Sequence, residues 1–392
     1  MTQLPDSVGG KKASSGAMNI LVINWQDITN PLGGGAEVHL HQIFSRIAAK
    51  GHKVTLLCSW FPGAPPEETI DGIQIVRRGS RDLFNFQVPS AYRQLRKRQQ
   101  FDVVVDDLNK IPFFTPLFVK EPLVGIAHHL FDTSIFRETN ALVASYVYAA
   151  ERLGLAVYRQ SGMPFMVVSP STQQEFMKHG FTLDRLPLAF NCVDHGRYKQ
   201  TGVPKSQTPL VGYFGRLKKY KSVDHLLQAL PLVLKHVPEL RLVVMGEGDD
   251  KPRLEGIARE LGIADRVEFT GFVSEEKKVE MLQRMWVKVT TSSKEGWGLT
   301  VLEANACGTP VLASNVPGLR DSIKDSETGL LYEYGNVAEL AAKLTTMLID
   351  SALRSRLATN ALSWAKKFDW DVVAGEVIEV LKKHSTRVSS LR

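Results

Sequence analysis

At 392 residues, with 44% apolar, 23% charged and 8% aromatic side chains, the chain has the make-up of a soluble globular protein of about two domains. No apolar run reaches the roughly 18–20 residues that a bilayer span requires. The net charge of +7 favours anionic ligands or membrane surfaces but comes with no nucleic-acid motif.

Residues 1–17 are polar and rich in Gly, Ser and Lys, and read as a disordered tail outside the fold. Residues 19–24 (NILVIN) form the first apolar strand, followed by a glycine loop and a helix over 36–50 that Gly51 stops. Further strands are expected at 53–58, 73–77, 102–105, 123–127 and 165–169. Cys58, in the second of these, is one of three scattered cysteines with Cys192 and Cys307. Their spacing argues against a disulfide framework or zinc site and fits a reducing cytosol. The strands are rich in Val, Ile and Leu and do not alternate, as buried parallel strands do not. With helices between them, residues 18–195 are expected to form one doubly wound α/β domain. A polar connection at 195–208 leads to a second series, with strands at 210–214, 241–245, 266–270, 287–291 and 310–313. Helices are expected at 223–236 (capped by Ser222), 251–261, 275–285, from 299, 337–349 and 352–367. That gives a second domain over 208–370, and the last segment, 371–392, is expected to pack back on the first domain. Ligands of such sheets lie beyond the carboxyl ends of the strands.

Chemistry-bearing residues fall at those ends. In Glu295-Gly296-Trp297-Gly298-Leu299-Thr300 a loop runs into a helix. Its unpaired amides and positive dipole end suit a diphosphate, and its glycines let the backbone approach a ligand. Glu303, one turn further, stands among apolar residues. Two carboxylates so placed can accept hydrogen bonds from vicinal hydroxyls of a sugar and a ribose. Spacing alone leaves equally open that Glu295 is a surface charge and Glu303 a structural ion-pair partner. Arg216 and Lys221 follow the strand at 210–214, where two cations suit a diphosphate; a solvated basic loop is the other reading. Gly246 and Val273 follow the next two strands, as nucleotide neighbours or simple turns. In the first half, Gly33, Gly34 and Gly35 open a helix but lack G-x-G-x-x-G spacing, which argues against a dinucleotide site. His128 and His129 end the strand at 123–127. Arg93, Arg96, Lys97 and Arg98 form a basic helix patch, either solvated or set against anionic lipid.

The segment EGWGLTVLEANACGTPVLAS closely resembles the signature of family 4 glycosyltransferases of the GT-B fold. GGGAEVHLHQI, GIAHH, FNCVD and YFGRLKKYKS extend the resemblance over nearly the whole chain from Met18. It implies two facing Rossmann-like domains and a retaining hexosyl transfer from a UDP- or GDP-sugar to a hydroxyl acceptor. It further implies that Glu295 contacts the donor sugar and Glu303 the ribose hydroxyls. Backbone amides of Trp297, Gly298, Leu299 and Thr300 would hold phosphate and sugar oxygens. Arg216 and Lys221 would hold the diphosphate, Gly34 and Gly35 would approach it as the domains close, Val273 would border the base, and His128 would point at the transferred sugar. No Asp-x-Asp motif is present, and the resemblance implies neither metal nor cofactor beyond the nucleotide sugar. Where relatives continue His-Arg-Glu after the histidine strand, this chain reads Leu130-Phe131-Asp132, which leaves the acceptor side open. A cytoplasmic protein with peripheral lipid contact and a sugar or lipid-linked glycan acceptor is the expectation. The rival readings are a nucleotide-sugar epimerase of the same architecture, a glycogen-phosphorylase-like enzyme and a catalytically silent sugar-binding protein.

Overall fold

The computed structural model describes residues 16–137 and 139–385. Most of the expected tail at 1–17 and the end of the 371–392 segment lie outside the described residues. Short apolar strands pair in parallel. β1 (Asn19–Ile23), β2 (Lys53–Trp60), β3 (Glu67–Ile70), β4 (Ile73–Ser80), β5 (Val103–Leu108), β6 (Leu123–Ala127) and β7 (Phe165–Val167) form a sheet ordered β3-β4-β2-β1-β5-β6-β7. β3 runs antiparallel to β4. Its sequence, EETI, alternates exposed and half-buried residues, as an edge strand does. That polar character hid it from a search for apolar runs. The helices of this half are α1 (Gly35–Ala49), α2 (Phe84–Arg98), α3 (Ala141–Ser161) and α4 (Pro170–Lys178). The strand expected to reach residue 169 stops at Val167, because Ser169 caps α4 by accepting from the Thr172 amide at 3.0 Å.

β8 (Leu210–Phe214), β9 (Arg241–Met245), β10 (Val267–Gly271), β11 (Val287–Thr290), β12 (Val311–Ser314) and β13 (Gly329–Tyr332) form a second sheet ordered β10-β9-β8-β11-β12-β13. Every pairing in it is parallel. Counted within this half, the order is 3-2-1-4-5-6, the doubly wound arrangement whose switch point lies between its first and fourth strands. Those are β8 and β11. The helices here are α5 (Val223–Leu234), α6 (Lys251–Glu260), α7 (Glu275–Arg284), α8 (Leu299–Ala306), α9 (Leu319–Ser322), α10 (Val337–Ile349), α11 (Ser351–Ala365) and α12 (Trp370–His384). One core joins Val211 and Tyr213 of β8 and Val287 and Val289 of β11 to Leu226 and Leu230 of α5 and Leu340 and Leu344 of α10. Ser222 stands at the start of α5 but does not cap it. Its backbone is left-handed (φ 48°), and its hydroxyl meets the Tyr334 hydroxyl at 2.9 Å instead.

The chain divides into two compact units. Among the described residues, one takes 16–107, 115–124 and 378–385; the other takes 108–114 and 125–377.

Candidate functional site

In the second unit the switch point brings two loops together. The Ser293 amide and hydroxyl donate to the Tyr220 carbonyl at 2.8 and 3.0 Å, and the Thr291 hydroxyl donates to the Lys221 carbonyl at 2.8 Å. The loop after β8 is thereby fixed to the loop after β11. Lys221 Nζ consequently meets Glu295 Oε1 at 2.5 Å, and Ser292 Oγ donates to the same oxygen at 2.7 Å. The two charged side chains are only 15% and 19% exposed. Burial opposes ionisation of both, but each charge outweighs it for the other. The Lys221 pKa is therefore raised and the Glu295 pKa lowered. Arg216, in the same loop, is exposed, and among the described residues its guanidinium has no hydrogen-bond or ion-pair partner.

α8 starts at the end of this loop. Gly298 precedes it with φ 97°, a conformation that glycine adopts without strain, and supplies no side-chain cap. The amides of Leu299 and Thr300 thus open a helix whose positive end no side chain answers among the described residues. Gly296 is required for a different reason. A Cβ there would lie 2.4 Å from the His128 carbonyl oxygen. Trp297 is buried between Phe190 and Phe368, with ring centroids 5.0 and 5.2 Å away. Glu303, one turn inside α8, is 5% exposed. Its Oε1 accepts from Lys278 of α7 at 3.0 Å, while among the described residues Oε2 is buried with no hydrogen-bond partner, and the carboxylate's charge also acts on the buried Tyr198 hydroxyl. An acceptor left in that state is costly unless a ligand hydroxyl completes it.

Gly246 and Val273 follow β9 and β10 at the same sheet edge, where the Gly246 amide donates to the Gly271 carbonyl at 2.9 Å. His128 is buried after β6, and its carbonyl accepts from the Thr172 hydroxyl at 3.1 Å. Burial, helped by the Lys294 charge, pulls the His129 pKa down to about 3, so this ring is neutral at physiological pH. Lys294 donates to the Leu130 carbonyl and pairs with Glu175 at 3.4 Å.

The predicted residues of the first unit look different. Gly34 precedes α1, and its amide already donates to the Glu37 carboxylate at 2.6 Å; Gly35 is the first residue of that helix. On α2, Arg93 and Lys97 are exposed, but Arg96 pairs with Glu121 at 2.7 Å and Arg98 with Glu67 at 3.0 Å. Half of that basic patch is neutralised locally, and α2 gives lipid contact no support.

Sequence reasoning missed Lys278, Lys288, Ser292 and Lys294. Lys278 hid in the charged run EEKK, though it shares a helix face with buried Leu282. Lys288 was the more legible anomaly, a lysine inside a strand expected to be buried on both faces.

Residues 195–364 match the family model described as glycosyl transferases group 1, and residues 33–197 match glycosyltransferase family 4. The chain belongs to this family of glycosyltransferases. It is 36% identical over 191 residues to a D-inositol 3-phosphate glycosyltransferase of Thermomonospora curvata, covering 46% of this chain and 44% of that protein. Such inositol-phosphate relatives are matched over about half of their own length. Sucrose-phosphate synthase from Thermosynechococcus elongatus superposes with a TM-score of 0.79 at 21% identity, covering 93% of this chain and 98% of that one. Anabaena HepE in complex with UDP-glucose gives a TM-score of 0.72 at 20% identity, covering 93% and 100%. The fold is GT-B, with its two sheets flanked by helices.

Proposed function

We propose that the chain is a retaining glycosyltransferase that moves a hexosyl group from a nucleotide diphosphate sugar to a hydroxyl of a sugar or lipid-linked glycan. The carrying observation is the group at the β8/β11 switch point. There, the Lys221–Glu295 pair precedes the uncapped start of α8, the exposed Arg216 stands in the same loop as Lys221, and Glu303 Oε2, one turn into the helix, has no hydrogen-bond partner among the described residues. A diphosphate fits the two cations and the Leu299 and Thr300 amides. Glu295 then accepts from hexose hydroxyls and Glu303 from the ribose, about 5 Å further along the helix, one turn's rise. UDP is favoured over GDP as the carrier because HepE, of like fold, is described with UDP-glucose.

The chemistry asks little of the protein beyond position and charge. The acceptor oxygen bonds to the anomeric carbon on the face from which the diphosphate departs. The carbon–oxygen bond to phosphate breaks, and the acceptor proton passes to the departing phosphate oxygen. Arg216 and Lys221 stabilise the charge that develops there. His128, buried in the same unit, is a proposed neighbour of the donor.

Membership of β7 in the first sheet supports a first domain over 18–195 and a donor domain over 208–370. Cys58, Cys192 and Cys307, all buried and far apart in sequence, suit a reducing compartment. Among the described residues no helix is long and apolar enough to cross a membrane.

A thermal-shift screen with UDP, GDP, ADP and their sugars tests the donor, since a ligand of the folded state raises its apparent stability. One base is expected to stand out. Turnover of that sugar, lost in Glu295→Ala, is expected in turn. Nucleotide binding with neither transfer nor hydrolysis would leave a silent binding protein and reject the enzyme.

A further inference from the structure

Lys288 lies inside β11 with its side chain fully buried. Alternation along the strand turns Val287 and Val289 into the core packed by α5 and α10, and Lys288 and Thr290 to the opposite face, toward α8. There the ammonium donates to the Thr290 hydroxyl at 2.6 Å and to the Thr300 hydroxyl at 2.7 Å. Among the described residues it has no carboxylate partner within ion-pair distance, unlike Lys221 and Lys278, which are paired with Glu295 and Glu303. A buried, unpaired ammonium is costly and needs a reason.

Hydrogen-bond polarity supplies one. An ammonium only donates, so the Thr300 oxygen must accept from it, and the single proton of that hydroxyl is directed elsewhere. Thr300 is the second residue of α8 and is half-buried, beside the amides that open the helix. We propose that Lys288 is a positioning residue of the donor site, which compels the Thr300 hydroxyl to donate to a diphosphate oxygen at the start of α8. This rests on the donor reading of the site.

The charges acting on Lys288 are Glu303 from α8, Glu295 and Lys221 from the joined loops, and Lys278 from α7. Burial dominates and brings its pKa down to about 7. A dianionic ligand nearby raises that value, so binding near neutral pH draws in a proton.

Calorimetry with UDP and GDP, against uridine and guanosine, in buffers of different ionisation heat, tests this. The wild-type protein is expected to take up protons on binding the diphosphate. Lys288→Met should weaken diphosphate binding about 10-fold or more, leave nucleoside binding within about twofold, and abolish the uptake. Thr300→Val should reproduce the affinity loss, and the double variant should lose no more than either single one. A folded Lys288→Met protein with unchanged diphosphate affinity, an equal loss for nucleosides, or additive losses would overturn the proposal. Should Lys288→Met not fold, unchanged diphosphate affinity in Thr300→Val overturns it equally. A wild-type protein that binds neither diphosphate rejects the donor reading itself, a separate outcome.

Discussion

The starts of α1 and α8 look alike in sequence, each a glycine-bearing turn between strand and helix, yet the structure treats them oppositely. At α1 the chain supplies its own anion, because Glu37 accepts from the Gly34 amide. At α8 the nearby carboxylate, Glu295, is claimed by Lys221, and no side chain caps Gly298. A glycine turn before a helix is therefore not in itself an anion site. What decides is whether a side chain of the same helix already answers the dipole, and whether neighbouring carboxylates are neutralised.

The strongest way to break this comparison is Lys221→Met. It removes a cation from the leaving group and frees the Glu295 charge to repel the diphosphate. Turnover of the donor sugar is expected to fall about 10²–10³-fold, measured by steady-state kinetics. Retention of most of the activity would mean that α8 is no more an anion site than α1. Next in size is Glu303→Gln, expected to weaken UDP binding roughly 10–100-fold. Against 2′,3′-dideoxy-UDP the variant and the wild type should differ little, because the ribose hydroxyls proposed to meet Glu303 are gone; an equal loss for both ligands would assign Glu303 to structure.

The pH dependence of stability comes third. The folded pKa of Glu295 is depressed, so its contribution is complete above the ordinary value of 4.5 and is lost as pH falls. That of Lys221 is raised, so its contribution is complete below 10.5 and is lost as pH climbs. Thermal melts of Glu295→Gln beside wild type should therefore differ most between about pH 5 and 10 and converge in acid. A gap that persists at pH 3 would point to packing rather than charge. Smallest is Glu37→Gln, which weakens the answer to the α1 dipole. It should lower stability by roughly 0.5–1 kcal/mol while leaving donor turnover within about twofold. A large loss of turnover would show that α1 shares in the chemistry.

Much of the proposed donor site was legible because its glycines and glutamates lie close in sequence and at the junction of a strand with a helix. Spacing and helix rules put Glu295, Gly298 and Glu303 at that junction, but only the family resemblance gave the two carboxylates a role. Lys278 could not, since only the packing of α7 against α8 turns one member of a charged run inward. The strand order was equally hidden, because pairing of β8 with β11 joins segments some seventy residues apart and leaves no local pattern. β13, only GLLY, lacked the length to be distinguished from a turn. Glu37 gave no sequence signal of its own at the Gly34 turn, because a charged residue in the first turn of a helix is ordinary; only the structure shows it accepting from the Gly34 amide.

The seam between the loops after β8 and β11 has one further consequence. Its acceptors are the main-chain carbonyls of Tyr220 and Lys221, atoms that every residue carries. Exchanging the Tyr220 side chain therefore keeps the acceptors of the seam and removes only the ring that lies 4.9 Å from the Lys221 ammonium. A chain wired in this way can exchange side chains around the seam while the two loops that carry its charged pair stay joined.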